Sequence, residues 1–314
     1  MSERTYTKEL VSVGLPVYNG VAPERLPRAL DSLLALAYSN IEIVISDDAS
    51  TDGTEKICRE YAARDSRIRY IRQPINTQLI PNTQFVIEES RGEYFMLAGD
   101  DDWWDPNFID KPKWILDTHQ SYGAALNSVR RIYGDGSTAH ETCFTGAHNA
   151  THKGYAEVFE MMHGRSKLFY FAGLYRTKLL HDLLRQPFPT CIRYDRVFAC
   201  ELAFATHIYT LPDMLYHKTV YKVSTMVRYV KTGIIGPYLD PKSHSKYVWA
   251  IISRLVRSRS IPLTRKLTLY PWYFLRLLWY HRKFVREWSP KLYSLAHHVL
   301  KPLRYIKRAW SSVV

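Results

Sequence analysis

The sequence predicts an α/β fold, a mostly parallel sheet flanked by helices, followed by a basic, aromatic helical C-terminal extension. Three observations carry that prediction. Short apolar runs alternate with amphipathic stretches through the first hundred residues, the order of a parallel sheet. Two of those runs empty into acids, Asp47-Asp48 and Asp100-Asp101-Asp102, and open α/β sheets bind ligands beyond the carboxyl ends of their strands. The formal charge of +13 is also unevenly spread. From Lys246 to Val314 fifteen Lys and Arg stand against one acid, Glu287, so residues 1–245 sum to −1.

The elements follow in order. Leu10 to Pro16 reads as a first strand, with Tyr18-Asn19-Gly20 as the loop beyond it. Leu26, Leu30, Leu33 and Leu34 recur at helical spacing within 26–36, so a helix returns along the sheet. Ile41 to Ile45 is a second strand, apolar and β-branched as a buried parallel strand should be. In the stretch that follows, Asp52 with Glu55 three residues on reads as a helix N-cap. Asp47 and Asp48 have no such local role, and acids there can accept hydrogen bonds from a nucleoside base or ribose. Ile68 to Ile71 is a third strand, 73–84 a polar loop, and Phe85 to Glu89 with its flanks a helix leading to Gly92. Tyr94 to Ala98 is a fourth strand, and Asp105-Pro106 reads as the start of the next helix.

Three consecutive carboxylates at a strand end repel one another unless a positive charge sits among them. A hard divalent cation that also holds substrate phosphates needs only one or two of them. The competing reading is a solvated acidic turn. No G-x-G-x-x-G turn and no G-x-x-x-x-G-K-[ST] loop is present, which sets aside a dinucleotide fold and a P-loop and leaves phosphate charge to a metal. The cysteines, Cys58, Cys143, Cys191 and Cys200, form no C-x-x-C pair, and reduced thiols are the simplest account. Residues 1–9 are polar, and no run reaches the ~18 apolar residues of a spanning helix. A cytoplasmic chain is expected.

The segments Leu-Pro-Val-Tyr-Asn at 15–19, Asp-Asp-Ala-Ser-Thr-Asp-Gly-Thr at 47–54, Asn76 with Asn82, and Arg-Gly-Glu-Tyr-Phe with the Asp triplet and Pro106 occur in that order. Together they closely resemble glycosyltransferase family 2, the nucleotide-sugar-dependent GT-A fold. The resemblance implies a nucleotide-sugar donor, a divalent metal (Mn²⁺ or Mg²⁺) bridging its diphosphate, and inversion at the anomeric carbon by direct displacement. Carried over by position, Pro16, Tyr18, Asp48 and Asn76 are implied for the donor, with Asp47 supporting, and Asp100 and Asp101 beside them. The resemblance implies that the D-x-D metal element falls on Asp100 to Asp102, with Asp100 and Asp102 as its acids. Family members commonly carry Asp-x-Asp-Asp here, and counting back from Pro106 puts Gly99 where the first Asp would be. Asp101 and Asp102 then align best, so which carboxylate touches the metal stays open. UDP is the commonest donor nucleotide that the family implies.

Beyond Pro106, 114–119 continues a helix, 124–133 reads as a strand, and 134–154 as a loop or lid. Asn149-Ala150-Thr151 formally matches a glycosylation sequon, without meaning in a cytoplasmic chain. Residues 155–175 are mostly aromatic or apolar and are expected on the acceptor side. Val197, Cys200 or Glu201, and Phe204 share one face of a helix that places Asp195 at its start. An N-cap accounts for Asp195 by itself. In the resembled family an acid at this place is the general base, which an acceptor hydroxyl needs in the transition state. Glu201, nearly two turns along, is the runner-up. Residues 208–211 and Leu215 to Lys218 resemble the strand and exit segment that close the fold, with His217 or Lys218 as diphosphate contacts or ordinary exposed bases.

The chain accordingly divides into a GT-A domain over 1–225 and a linker with basic amphipathic helices over 226–314. Apolar–aromatic runs at 247–256 and 267–279, basic clusters, and five of the eight tryptophans make the latter an expected in-plane membrane helix region. Arg276 within the longest run argues against a span. Nucleic acid is not the expected partner, and a helical subdomain packed on the core is the alternative. The reading is a glycosyltransferase, peripheral on the cytoplasmic face of the membrane, acting on a hydroxyl of a lipid-linked or envelope-glycan acceptor. An inactive scaffold of the same fold and a nucleotidyltransferase are its rivals, and two-carboxylate hydrolysis is weaker still. No Q-x-x-R-W element marks a processive enzyme.

Overall fold

Alternation along the strands sets the architecture. In β4 (Gly92–Leu97) Tyr94 and Met96 point to one side of the sheet, Phe95 and Leu97 to the other, and all four are buried. β2 (Ile41–Asp47) does the same, with Ile43 and Ile45 opposite Val44. Both faces must therefore be covered, as in a parallel sheet with crossover helices. The computed structural model describes residues 4–20, 25–133, 138–139, 172–189, 194–220 and 243–267, with positions 270, 271, 274 and 294. The expected lid at 134–154 (apart from 138–139), the segment 155–171, the linker 226–242 and the tail beyond 274 (apart from 294) lie outside the described residues.

The main sheet has seven strands in the order β10-β6-β9-β4-β1-β2-β3. β1 (Thr7–Val17) lies between β2 and β4 and is parallel to both, and β3 (Ile68–Arg72) is parallel to β2. β6 (Tyr122–Leu126) and β10 (His207–Thr210) are parallel to each other, while β9 (Gly173–Arg176) runs antiparallel to β4 and β6. The chain winds from β1 outward to β3, then returns to the opposite side of β1 as β4. That reversal opens a crevice at the carboxyl ends of β1 and β4, the place where such sheets take ligands.

One face carries α1 (Arg25–Leu34), whose Leu26, Ala29, Leu30 and Leu33 are buried, and α4 (Asp110–Thr118). α2 (Thr54–Arg64) connects β2 to β3. The other face carries α3 (Leu79–Glu88), α5 (Thr177–Leu183), α6 (Tyr194–Ala205) and α7 (Ser243–Arg257). A smaller sheet, β5-β11-β7-β8, joins β5 (Trp103–Trp104), β7 (Val129–Tyr133), β8 (Thr138–Ala139) and β11 (Tyr216–Val220). Its β5 is the segment directly after the Asp triplet, antiparallel to β11.

Several elements differ from expectation for identifiable reasons. α3 begins at Leu79, inside the expected polar loop. Pro81 falls in its first turn, where no intrahelical N–H bond is needed. Asp52 does not cap α2 as its N-cap. Gly53 holds that position, while Asp52 Oδ1 accepts from Thr54 N–H at 2.9 Å. Residues 106–109 form a turn, and α4 starts at Asp110. The expected strand 124–133 is two strands in two sheets, broken at Asn127 and Ser128. Both are buried and bonded across the break, Asn127 Nδ2 to Phe108 O at 3.1 Å and Ser128 Oγ to Leu211 O at 2.9 Å.

The start of the basic tail is part of the core. Tyr247, Ile251 and Leu255 of α7 are buried with Val197, Phe198 and Phe204 of α6. Each such side chain contributes about 1.5–3 kcal/mol by leaving water.

Candidate active site

Four loops meet at the carboxyl ends of β1, β2, β3 and β4. The first two are stitched together. Asn19 N–H donates to Ser50 Oγ at 3.0 Å, Thr51 N–H to Asn19 Oδ1 at 2.8 Å, and Gly20 N–H to Thr54 Oγ1 at 2.8 Å. Asn19 has φ of 49°, a left-handed conformation that Asn tolerates. The fourth loop closes against the first: a Cβ on Gly20 would lie 3.0 Å from Asp100 Oδ2.

Between the loops lies a cleft of about 570 Å³, part of it open solvent. Of the residues expected at the donor, Pro16, Tyr18, Asp48, Asn76, Asp100 and Asp101 all line it. Val17, Gln78, Leu79 and Asn82 line it too. Gln78 and Leu79 carried no sequence signal; Val17 belonged to the 15–19 segment, and Asn82 to the paired-Asn segment. Asn82 is buried, with its carboxamide bonded to Ser46 Oγ at 2.5 Å and Ser46 O at 3.0 Å.

The adjacent acids take different roles. Asp47 is fully buried and does not line the cleft. Its Oδ1 accepts from Ser50 N–H at 2.9 Å, and its Oδ2 from Tyr70 Oη at 2.8 Å and Arg72 Nη1 at 2.6 Å. It builds the loop that carries Asp48 and has no face toward a donor. Asp48 faces the cleft, yet both of its oxygens are engaged. Oδ1 accepts from Thr77 N–H at 2.7 Å and Thr77 Oγ1 at 2.8 Å, and Oδ2 from Gln78 N–H at 2.7 Å.

The triplet divides in the same way. Asp100 and Asp101 line the cleft, while Asp102 is 3% exposed and points the other way. Asp102 accepts from Tyr216 Oη and from Thr219 N–H at 2.9 Å, with Lys218 Nζ 3.8 Å away. It anchors the triplet to β11 and is not turned toward the cleft as the D-x-D reading expected. Arg28 Nη2 and Thr219 Oγ1 both donate to the Asp101 carbonyl, the first at 3.1 Å, and fix that backbone. Gly99 stands where the family pattern has an acid. A Cβ there would lie 3.1 Å from Asp102 Oδ2 and 3.4 Å from Asp101 Oδ1, so a third carboxylate would crowd those two. Among the described residues no group of three or more His, Cys, Asp or Glu is placed to hold a metal by itself. Asp100 and Asp101 are the two carboxylates of the triplet that line the cleft, and a hard cation that also holds substrate phosphates needs only one or two.

Asp195 sits in the first turn of α6, half-buried, outside the cleft lining. Burial pushes its carboxyl above the ordinary range, while the Arg196 backbone and charge and the Lys218 ammonium pull it down. Lys218 thus acts on both Asp102 and Asp195. Glu201, the runner-up, is 1% exposed and ion-paired with Arg254, which removes it from any role at the acceptor. His217 is buried, stacked on Trp103 with ring centroids 5.2 Å apart, its Nε2 3.1 Å from Asp105 Oδ1. It is not an exposed base.

The fold is that of a GT-A glycosyltransferase. A family model described as "Glycosyl transferase family 2" matches residues 12–184, and the chain belongs to that family. Among curated relatives, an uncharacterized protein of Mycobacterium tuberculosis, Rv1520, is 39% identical over 117 residues, 36% of this chain and 34% of that protein. The putative glycosyltransferase EpsE of Bacillus subtilis is 34% identical over 113 residues, 36% of this chain and 40% of that protein. The chain thus spans about a third to two fifths of the length of these two curated relatives. Among solved structures, TarS 1–349 of S. aureus in complex with UDP-GlcNAc superposes with a TM-score of 0.65 at 19% identity, covering 90% of this chain and 76% of that one. The mannosyltransferase PcManGT from Pyrobaculum calidifontis, in complex with GDP-Man and Mn²⁺, superposes with a TM-score of 0.50 at 18% identity, covering 92% and 86%. At these identities the likeness is one of fold.

Proposed function

We propose that this glycosyltransferase moves a sugar from a nucleoside-diphosphate donor, UDP-linked in the first instance, to a hydroxyl of a lipid-linked or envelope-glycan acceptor, with inversion. One observation carries the donor half: Asp100 and Asp101 share a single cleft with Pro16, Tyr18, Asp48 and Asn76. Pro16 and Tyr18 supply the apolar and aromatic wall for a base, and Asp48 orders the 77–78 backbone along its edge. Asp100 and Asp101 would hold a divalent ion, which neutralises charge on the departing diphosphate. The metal role expected of Asp102 thereby moves to Asp101, because the Asp102 oxygens are held by Tyr216 and Thr219.

Asp195 is proposed as the general base. A carboxylate raised by burial is a stronger proton acceptor than an ordinary Asp, and an acceptor hydroxyl needs such a partner only as it attacks. Direct displacement with one base requires no covalent intermediate, in keeping with inversion. Lys218 steadies Asp102 and tunes Asp195.

The tail is proposed to rest on an anionic membrane surface. The outward side of α7 exposes Trp249 and Val256, and beyond it Leu263 and Leu267 are exposed, with Arg257 and Arg259 among them. Exposed apolar side chains beside basic ones suit an interfacial helix. No helix among the described residues is long and apolar enough to cross a membrane.

The test is release of nucleoside diphosphate from UDP-, GDP- and dTDP-sugars in the presence of Mn²⁺ and a membrane-lipid extract. Turnover of one donor that is lost in Asp195→Asn supports the proposal. Turnover of none, by folded protein shown to bind nucleotide, contradicts the proposed acceptor class.

A further inference from the structure

Gln78 is a cleft residue with a strained backbone. Its φ of 75° and ψ of 168° lie where residues with a side chain rarely go and glycine goes freely. The surrounding structure holds it there. Its N–H donates to Asp48 Oδ2 at 2.7 Å and to Asn76 Oδ1 at 2.9 Å, and its carbonyl accepts from Asn82 N–H at 3.1 Å. Asp48 Oδ1 fixes the preceding residue through Thr77 N–H and Oγ1. Glycine would satisfy every one of these backbone bonds without strain. The position instead carries a long polar side chain, half-buried in the wall of the cleft. Among the described residues its carboxamide makes no hydrogen bond. Strain that persists at a binding site points to a task for the side chain that requires it.

We propose that Gln78 reads the base of the donor nucleotide, and that Asp48 positions it. A carboxamide offers a donor and an acceptor side by side. That is the complement of a base edge presenting N–H beside C=O, which uracil, thymine and guanine all have. Asp48 accepts three bonds from the 77–78 segment and so orders the loop that carries the Gln78 carboxamide. The base contact then resides in Gln78, which lies between Asn76 and Asn82. This inference rests on the donor-site reading above.

The experiment compares wild type, Gln78→Ala and Gln78→Gly. UDP, GDP, dTDP and inorganic pyrophosphate are titrated calorimetrically with Mn²⁺, and thermal melts are recorded alongside. Alanine removes the carboxamide and keeps the strain, whereas glycine removes both. Both variants are expected to lose about 5- to 10-fold in affinity for whichever nucleotide the wild type binds, the scale of one or two hydrogen bonds. Pyrophosphate affinity stays unchanged, and Gln78→Gly melts above Gln78→Ala. Undiminished nucleotide affinity in both variants overturns the inference. An equal loss for pyrophosphate also overturns it, because a disturbed loop then explains the effect. A wild-type protein that binds pyrophosphate but no nucleotide overturns the donor-site reading itself, and the inference with it.

Discussion

Arg254 on α7 is buried against Glu201 on α6, an ion pair sealed inside the core. The Arg254 Nε donates to Glu201 Oε2, while its Nη atoms donate to the carbonyls of Pro187 at 2.8 Å, Leu183 at 3.0 Å and Gln186 at 3.1 Å. The two side chains are 5% and 1% exposed. Every donor direction of the guanidinium that these bonds use is filled, which is what makes a buried pair tolerable. The pair ties the first helix of the basic tail to the helix that carries Asp195.

Removing Arg254 leaves the buried Glu201 carboxylate without its ion-pair partner, held only by weaker contacts such as Gln186 Nε2 at 3.4 Å. Arg254→Ala is expected to lower unfolding free energy by about 3–5 kcal/mol, measured by urea denaturation. Truncation at residue 246 removes Arg254, Ile251 and Leu255 together and should yield protein that does not fold. A truncated chain with a native melting temperature would contradict the packing of α7.

Asp195→Asn is expected to reduce transfer by about 10²- to 10⁴-fold with donor affinity intact. The wild-type rate should fall off on the acid side at a pH above the ordinary carboxylate range, because burial raises this pKa and the protonated acid accepts nothing. The same shift fixes the sign for stability. A carboxyl raised in the folded state favours folding below its unfolded pKa, and that contribution is lost as pH rises through the folded pKa. At neutral pH Asp195→Asn should therefore melt no lower than wild type. A pH–rate profile and a melt check both statements, and an acid limb unchanged from that of a free Asp would remove Asp195 from the mechanism.

Asp101 and Asp102 are adjacent and should fail differently. Asp101→Asn is expected to lose Mn²⁺-dependent nucleotide binding while keeping its melting temperature. Asp102→Asn disrupts the bonds to Tyr216 and Thr219 and should destabilise by about 1–3 kcal/mol. Its nucleotide affinity, measured well below the melting temperature, should change far less. Loss of Mn²⁺-dependent binding in Asp102→Asn, with binding kept in Asp101→Asn, would return the metal role to Asp102.

The membrane proposal is tested without disturbing the core. Trp249, Val256, Leu263 and Leu267 are exposed, so the four-fold Ser variant should fold normally and float less with phosphatidylserine-containing liposomes. Unchanged flotation at equal salt would place the contact elsewhere or nowhere.

The parallel sheet and the acids at its strand ends were legible because buried strands are apolar runs and their ends are marked by polarity. The destination of each acid was not. The backbone leaves the strand at these points, and partners distant in sequence decide where each carboxylate faces: Tyr70 and Arg72 draw Asp47 inward beside a cleft-facing Asp48, and Tyr216 and Thr219 draw Asp102 inward beside Asp101. The pattern of 247–256 was legible as amphipathic. Apolar residues lie on both sides of that helix, however, so the face that meets α6 could not be told from the face that meets solvent. Asn127 and Ser128 hid the switch between sheets, because their partners come from residues near 108 and 211. Gln78 gave no signal, since a positive φ is not written in a side chain that usually avoids it.

The most direct measurement is a calorimetric titration of UDP, GDP and dTDP into the wild-type protein, with and without Mn²⁺. The account predicts that one nucleotide binds, that its affinity depends on Mn²⁺, and that the dependence disappears in Asp101→Asn. Folded protein that binds none of the three, or binds one equally well with and without Mn²⁺ and with Asp101 replaced, would contradict the metal–diphosphate site.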